Sequence, residues 1–506
     1  MKHDAVVRPV DEDRKLAEFL KERRWFGGKG RAIAEATLRD VIPVKWPNAH
    51  KTFAVARAQV VTDDGTFMYQ LFLPGDGTIA EALDDAEFRR GLVDTFVRGA
   101  TFERGGTRWI AESESRKPLV APAVAMITLA KGEQTNSSVI IDGEAILKLY
   151  RRLEPGIHPD VEVTRFLTIE RLFVHVPALL GTIRFEDRSG IWIAGMLQEL
   201  VPGAVDGWSY ALDCSAEYFK TGATQHRAVP FALEANQLGV VTRAMHETLA
   251  SGDPGSGFEL TPALPHDVER WLARARQTIE QGIDSLERSL GQKGADEEKG
   301  GGKLPGAFRD EARALVERRR GYMQWVTRLG DEIGADTGGN TRTHGDYHLG
   351  QVLRSAAAQF LVIDFEGEPI RPLSDRRARH SPLRDAAGML RSFAYAAAVN
   401  AHGLRSGAGG LRSEVGGVGN PTPHTPNPPP ELRAEKWERA VREAFLRGYF
   451  DEKNGNPALL PRSQSNAGRL IALFEAEKIF YELQYELDHR PDWVWIPLRG
   501  ILKLYT

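Results

Sequence analysis

The sequence predicts an α+β chain in two lobes, with strand patterns concentrated in the first two hundred residues and helix patterns dominating the rest. Apolar residues alternate in TFAVA (52–56) and MYQLFL (68–73), the period of two that a half-buried strand requires. A second signal is a hairpin pattern at 138–141 and 145–150 around Asp142-Gly143, followed by a helix pattern over 159–172,. The third comes after Pro202, where apolar residues recur at helical spacing, as in Leu315, Tyr322, Val326 and Leu329, 7, 4 and 3 apart,. At 506 residues the chain has room for about three domains. We place them at 1–110, 111–200 and 201–506: an α+β cap subdomain, a nucleotide-binding N-lobe and a helical C-lobe.

Taken in order, the cap opens with a charged amphipathic helix at 14–24 and continues into the two alternating strands. The hairpin and helix of the second region form the opening of many nucleotide-binding lobes. In the third, the last long helix spans 472–489 and aligns Ala476, Phe480, Leu483 and Leu487,. Three breaks punctuate the chain at 294–306, 330–340 and 401–430, the last holding 7 Gly and 6 Pro, too many breakers for packed structure,.

Charge and cysteine content exclude several functions. Lys plus Arg is 66 against 69 Asp plus Glu, a net charge of −3, so no broad cationic surface is available for nucleic acid or anionic membrane. The apolar stretch 121–130 is far short of the roughly 20 residues that span a bilayer. Cys214 is the single cysteine, which rules out an internal disulfide and any multi-cysteine metal site. A cytoplasmic location is expected, since residues 1–15 have no apolar signal core,.

The chemistry concentrates in THGDYHLGQVL (343–353) and FLVIDFEGEP (360–369). Asp346 precedes Gln351 by five positions, the spacing of base and metal ligand in a kinase catalytic loop. Asp364 ends an apolar strand and is placed to hold a metal ion. Phosphoryl transfer needs one carboxylate for the attacking hydroxyl and hard oxygen ligands for Mg²⁺, so Asp346 is the expected base and Gln351 and Asp364 the expected metal ligands. HGD-like tripeptides also arise by chance in loops; the spacing and the following strand single this one out.

Lys148, inside ILKLY (146–150), suits the grip on ATP phosphates, with Glu162 on the next helix as its expected partner,. An edge-strand lysine facing solvent is the other reading. The turn Gln134, Thr135, Asn136, Ser137, Ser138 has no glycine-rich pattern but offers hydroxyl, amide and backbone N–H groups to phosphate oxygens,.

HGDYHLGQVLR (344–354), VIDFEGEP (362–369), SPLRDAAGMLRSF (381–393), YELQYELDHRPDWVWIPLRG (481–500) and RWFGGKGR (24–31) together resemble the maltokinases. These are relatives of the aminoglycoside phosphotransferases with a bilobal protein-kinase-like fold. The resemblance spans nearly the whole chain; its opening and terminal motifs are the most specific. It implies transfer of the ATP γ-phosphate to the anomeric hydroxyl of maltose, giving maltose 1-phosphate for α-glucan synthesis, with a trehalose synthase as a possible partner. A kinase for another sugar such as glucosamine, or a non-catalytic kinase-like binding protein, stays open as an alternative. The resemblance also implies an adenine-binding hinge at Glu199 and Val201, and a second-layer role for Asp385 in steadying the catalytic loop.

The family's sugar site maps onto Tyr395, Lys478, Tyr481 and Tyr485. Tyr481 and Tyr485 are four apart, on one side of the helix, where aromatic faces with hydroxyl tips suit a sugar; two core tyrosines bonded to backbone are the other reading. Glu366 and Glu368 are further candidates for substrate or metal, Glu368 also suiting a turn before Pro369. Ala394 stands where maltokinases commonly carry an acidic residue, and the insertion at 401–430 exceeds the family's usual connection.

Overall fold

Small and large apolar residues take opposite faces of the strand Phe53–Thr62, because side chains alternate across a sheet. Ala54, Ala56, Ala58 and Val60 meet Leu16, Phe19 and Leu20 of the helix Val10–Glu22, while Phe53 and Val55 turn to a core around Trp46, Phe88 and Trp109. The strand is therefore buried on both sides along most of its length. In the computed structural model, residues 10–27, 31–47, 49–114, 126–130, 135–222, 229–291, 304–369, 371–405, 429–451 and 455–504 are described. They divide into two compact units, Met1–Gly203 and Ala204–Thr506.

The first unit holds two sheets. One is four-stranded, in the order Ile33–Val44, Phe53–Thr62, Gly65–Pro74, Arg152–Leu153. The other is seven-stranded: Thr101–Arg104, Thr107–Ser113, Leu179–Asp187, Gly190–Glu199, Ala145–Tyr150, Asn136–Ile141, Ile127–Leu129. The strand Thr107–Ser113 runs across the position 110/111 where the sequence reading divides cap from N-lobe, pairing Ser113 with Gly181 and Arg108 with Glu186. Helix Ala86–Arg98 covers this sheet, and its Phe88 packs edge-on against Trp46 at 5.6 Å and Phe53 at 5.2 Å. The hairpin Asn136–Ile141/Ala145–Tyr150 turns where expected. Asp142 (φ 53°) and Gly143 (φ 69°) are both left-handed, as tight hairpins with the native twist need.

In the second, mainly helical unit, helices Gly207–Thr221 and Ala232–Leu249 pack on a three-stranded sheet of Val205–Asp206, Val352–Arg354 and Phe360–Val362. The helical run anticipated across 308–329 is two helices, Arg309–Glu317 and Arg319–Glu332, separated at Arg318 (φ −85°, ψ 3°). Its four phased residues are buried nonetheless. The last long helix is longer than its pattern suggests, Gln464–His489, because Ser463 caps it by accepting from the Asn466 N–H. Helix Leu383–Arg405 continues into the start of the third break, and the rest of that break up to 428 lies outside the described residues, as do 294–303 of the first. No helix among the described residues is long and apolar enough to cross a membrane.

The aromatic cluster around Phe88 gives a stability prediction. Phe88→Ala is expected to cost about 3–5 kcal/mol, read as a lowered midpoint in urea unfolding; a loss under about 1 kcal/mol would show that the cluster collapses around the gap.

Candidate active site

A hairpin brings two of the expected site residues together. Val352–Arg354 pairs with Phe360–Val362 in the register Val352↔Val362, and the Ile363 N–H donates to the Gln351 carbonyl at 3.0 Å. Gln351 and Asp364, 13 apart in sequence, consequently meet: Gln351 Nε2 donates to Asp364 Oδ2 at 2.8 Å. Asp364 has φ 71°, a left-handed conformation that Asp tolerates better than most residues and that tends to persist at functional sites. A carboxylate and a carboxamide oxygen are the donor types Mg²⁺ takes, so this pair fits the ion.

The loop 343–348 is positioned by buried polar groups. Asp385, near the start of helix Leu383–Arg405, accepts from the backbone N–H of His344 (2.6 Å) and Gly345 (2.9 Å) and from His246 Nε2 (3.0 Å). The Tyr449 hydroxyl donates to His246 Nδ1 at 2.9 Å, fixing that ring's tautomer,. Burial alone would raise the Asp385 carboxyl, but His246 and the N–H donors outweigh it and hold it below the usual carboxylate range. The loop itself needs Gly345, which has φ 83°, and it needs Gly388 on the helix, where a Cβ would sit 2.7 Å from the Tyr347 carbonyl oxygen. His344 ties this loop to the Asp364 segment: its Nε2 donates to the Ile363 carbonyl at 2.9 Å, leaving Nδ1 to accept from the Asp346 N–H at 3.4 Å,.

Asp346 lies on the wall of a cavity of about 160 Å³ together with Glu368, Glu477, Lys478, Tyr481 and Gln484. Lys478 Nζ is 3.0 Å from Asp346 Oδ1 and 3.1 Å from Glu368 Oε1, and it lies 5.3 Å from the Tyr481 ring centroid. Burial disfavours a charged lysine; the two carboxylates more than offset it, and the ammonium is held above its ordinary range. Asp346 shows the converse: burial pushes its carboxyl up, and Lys478 and His348 pull it below the usual value. The site thus presents an ionised carboxylate to a partly enclosed polar cavity.

In the first unit, Lys148 pairs across the sheet with Ser138 and Met196. Its Nζ is 3.1 Å from Asp160 Oδ2, which also accepts from the Tyr150 hydroxyl at 3.1 Å. The buried Asp160 is an acidic partner that the sequence reading passed over in favour of Glu162, half-buried two residues later in the same helix, Pro159–Arg165. Asn136, Ser137 and Ser138 lie on the strand Asn136–Ile141 with Thr135 just before it, and the Ser137 hydroxyl accepts from Arg151 Nε at 2.8 Å. Gln134 lies outside the described residues. Glu199 ends the strand Gly190–Glu199, its N–H donating to Ala178; the Leu200 N–H donates to Glu144, and Val201 follows.

The acceptor residues suggested by resemblance are only partly gathered. Lys478 and Tyr481 line the cavity; Tyr395, Tyr485 and Glu366 do not. The Tyr395 hydroxyl is spent on Glu486 Oε1 at 3.1 Å. Tyr485 is 41% exposed and stacks on His489 at 4.5 Å; it sits a full turn, about 6 Å, further along the helix than Tyr481. Glu366 is half-buried, and its carbonyl accepts from Arg376 at 3.2 Å. Ala394 lines a different cavity, with Ala397 and Trp495, so its departure from the family pattern does not alter the wall beside Asp346. Sequence reasoning missed Glu477, Arg274 and Arg384 in the cavity wall; the one available signal was the run of charges at Glu475, Glu477 and Lys478 in a helix stretch otherwise made of apolar residues.

No protein-family model matches the chain. Two curated relatives are glucosamine kinases. One, from Streptacidiphilus jiangxiensis, is 27% identical over 433 residues, covering 84% of this chain and 80% of the relative. The other, from Mycolicibacterium smegmatis, is 27% identical over 369 residues, 72% of this chain and 76% of the relative. Among solved structures, a glucosamine kinase in complex with glucosamine, ADP and inorganic phosphate superposes with a TM-score of 0.64 at 21% identity, over 97% of this chain and 99% of that one. A second crystal form of a glucosamine kinase gives 0.65 at 21% identity, over 96% and 98%. The chain has the bilobal kinase-like α+β fold of these enzymes.

Removing the Asp385 carboxylate strands two backbone N–H groups and His246. Asp385→Ala is expected to cost about 3–5 kcal/mol, measured by denaturant unfolding, with Asp385→Asn losing less because it keeps one acceptor; equal losses would show that hydrogen bonding to the loop is not what Asp385 supplies.

Proposed function

We propose that the chain transfers the γ-phosphoryl group of ATP to a hydroxyl of an amino sugar, with glucosamine as the leading acceptor. The observation that carries the chemistry is the ionised Asp346 on the wall of a polar cavity, held there by Lys478. The acceptor class rests on the glucosamine kinases to which the chain is similar over most of its length. They favour an amino sugar over the maltose that the motifs suggest, and with maltose recede the links to α-glucan synthesis and to a trehalose synthase.

In this reading Asp346 orients the acceptor hydroxyl and takes its proton as the oxygen attacks the γ-phosphorus. The bond to the β,γ-bridging oxygen breaks and ADP leaves. Mg²⁺, held by Asp364 and Gln351, would neutralise phosphate charge. Lys148, steadied by Asp160, would meet the phosphates with Glu162 nearby, the backbone and hydroxyls of residues 135–138 would contact phosphate oxygens, and Glu199 and Val201 would receive adenine.

An acceptor panel with ATP, followed by ADP release, tests the reading: glucosamine is expected to support turnover, and phosphorylation of maltose without glucosamine would overturn it. Asp346→Asn is expected to lower kcat by about 10²–10⁴-fold while ATP affinity, measured by calorimetry, stays within about twofold. Tyr481→Ala is expected to raise KM for the sugar more than for ATP, whereas Tyr485→Ala changes neither; equal effects of Tyr481→Ala on both would mark general damage.

The pH profile adds a signed prediction. Lys478 favours the Asp346 anion most and burial opposes it, so Lys478→Met removes the larger favourable effect, leaves the smaller one of His348 and keeps the unfavourable burial. The acid limb of kcat/KM is then expected to move to higher pH than in the parent enzyme. A limb that stays in place would show that Lys478 does not set the charge of Asp346.

A further inference from the structure

A second cavity, of about 300 Å³, adjoins the first and shares Arg274, Arg371 and Arg384 with it. Six arginines line it, Arg270, Arg274, Arg371, Arg376, Arg379 and Arg384, against two carboxylates, Glu368 and Asp375. Their acidic partners are unevenly shared. Arg270 pairs with Asp267 and Arg379 with Glu259. Arg274, Arg384 and Arg371 instead converge on one atom, Glu477 Oε1, at 2.9, 2.9 and 3.4 Å. Glu368, which also meets Arg371, is shared in turn with Lys478. Crowding of cations is felt at Arg274, where burial first and Arg384 second lower the guanidinium's proton affinity.

His380 adds no negative charge to this wall. His380 accepts from Arg384 Nη1 through Nε2 at 3.2 Å and stacks on Trp271 at 5.2 Å. It is held well below its ordinary range by burial and by Arg384, so it is neutral. Guanidinium groups that face one cavity and share too few carboxylates bind a planar or tetrahedral oxyanion through paired N–H donors.

We propose that this cavity is an anion subsite, taking a phosphate or carboxylate group borne by the acceptor or present as a free ion, with Glu477 as its internal competitor. The inference stands on the cavity's charge and goes beyond the amino-sugar reading.

Calorimetric titration of the full chain with inorganic phosphate, without nucleotide, tests it. Arg274 has a 36% exposed side chain, so Arg274→Gln removes a charge without opening the core. That variant is expected to weaken phosphate binding about tenfold, the scale of one charge-assisted hydrogen bond, and Arg274→Glu to abolish it. Glu477→Gln, which removes the competing carboxylate, is expected to tighten it several-fold. Lys148→Ala, which removes the cation assigned to ATP phosphates, is expected to leave it unchanged. A second arm compares glucosamine with glucosamine 1-phosphate as acceptors. A lower KM for the phosphorylated sugar, lost in Arg274→Gln, assigns the anion to the acceptor; equal KM values with phosphate binding intact assign it to a free ion. No phosphate binding in the parent chain, or binding that is lost with Lys148→Ala and indifferent to Arg274→Gln, overturns the proposal. Calorimetry requires no turnover, so the proposal and the amino-sugar reading fail separately.

Discussion

The second unit is organised around one buried carboxylate. The loop 343–348 has no strand or helix to absorb its backbone donors, and buried N–H groups must find acceptors. Asp385 supplies them for His344 and Gly345. A buried anion is itself costly unless fully hydrogen-bonded, and His246, backed by the Tyr449 hydroxyl, completes its set. The helices Ala232–Leu249, Leu383–Arg405 and Pro430–Tyr449 are therefore tied to the loop that carries Asp346. The position of the Asp346 carboxylate is inherited from the packing of three helices, with the close approach at Gly388 allowing the loop to lie against one of them.

The helix Gln464–His489 does for the cavity what Asp385 does for the loop. It is buried along most of its length and yet carries Glu475, Glu477, Lys478, Glu482 and Glu486. Each meets a partner from another part of the fold or a neighbouring turn: Glu475 meets Arg442, Glu477 meets Arg274, Glu482 meets Arg391, and Glu486 meets Tyr395 and Arg490. Buried ion pairs contribute little net stability against apolar replacements. Their consequence here is register: sliding the helix by one turn, about 5.4 Å, would leave Lys478 away from Asp346 and several carboxylates without cations. The charge of the site and the alignment of the helix are set by the same contacts.

Local signals made much of this legible. The spacing of Asp346 and Gln351, the apolar strand just before Asp364, the turn at Asp142-Gly143 and the lysine inside ILKLY all lie within short stretches, where the hydrogen-bonding pattern follows from adjacent residues. Partner choice was harder. Asp160, two residues before Glu162 on the same helix, meets Lys148, and that contact depends on how the helix sits against the sheet. The strand Thr107–Ser113 joins a sheet whose next strand begins at Leu179, a non-local pairing that hides the absence of a boundary at 110. Tyr395 and Tyr485 have the right chemistry for a sugar, but Glu486 and His489 engage them first.

The motifs that suggested one acceptor and the relatives that favour another differ for a structural reason. HGDYHLGQ and VIDFEGEP build the loop, the hairpin and the Asp364 segment, which in the proposed reaction would serve phosphoryl transfer to any hydroxyl. The terminal IPLRG falls within helix Trp495–Lys503, where Ile496, Leu498 and Ile501 are buried in packing. Neither describes the part of the cavity wall formed by Arg274, Thr278 and Gln281 on the helix Pro265–Gly291. That helix reads as an ordinary amphipathic segment, and its cavity-lining side chains gain meaning only when folding brings them to the same cavity as Asp346. In the proposed reaction the acceptor would meet residues without a motif, so resemblance in the loop and Asp364 segments constrains the chemistry far more tightly than the sugar.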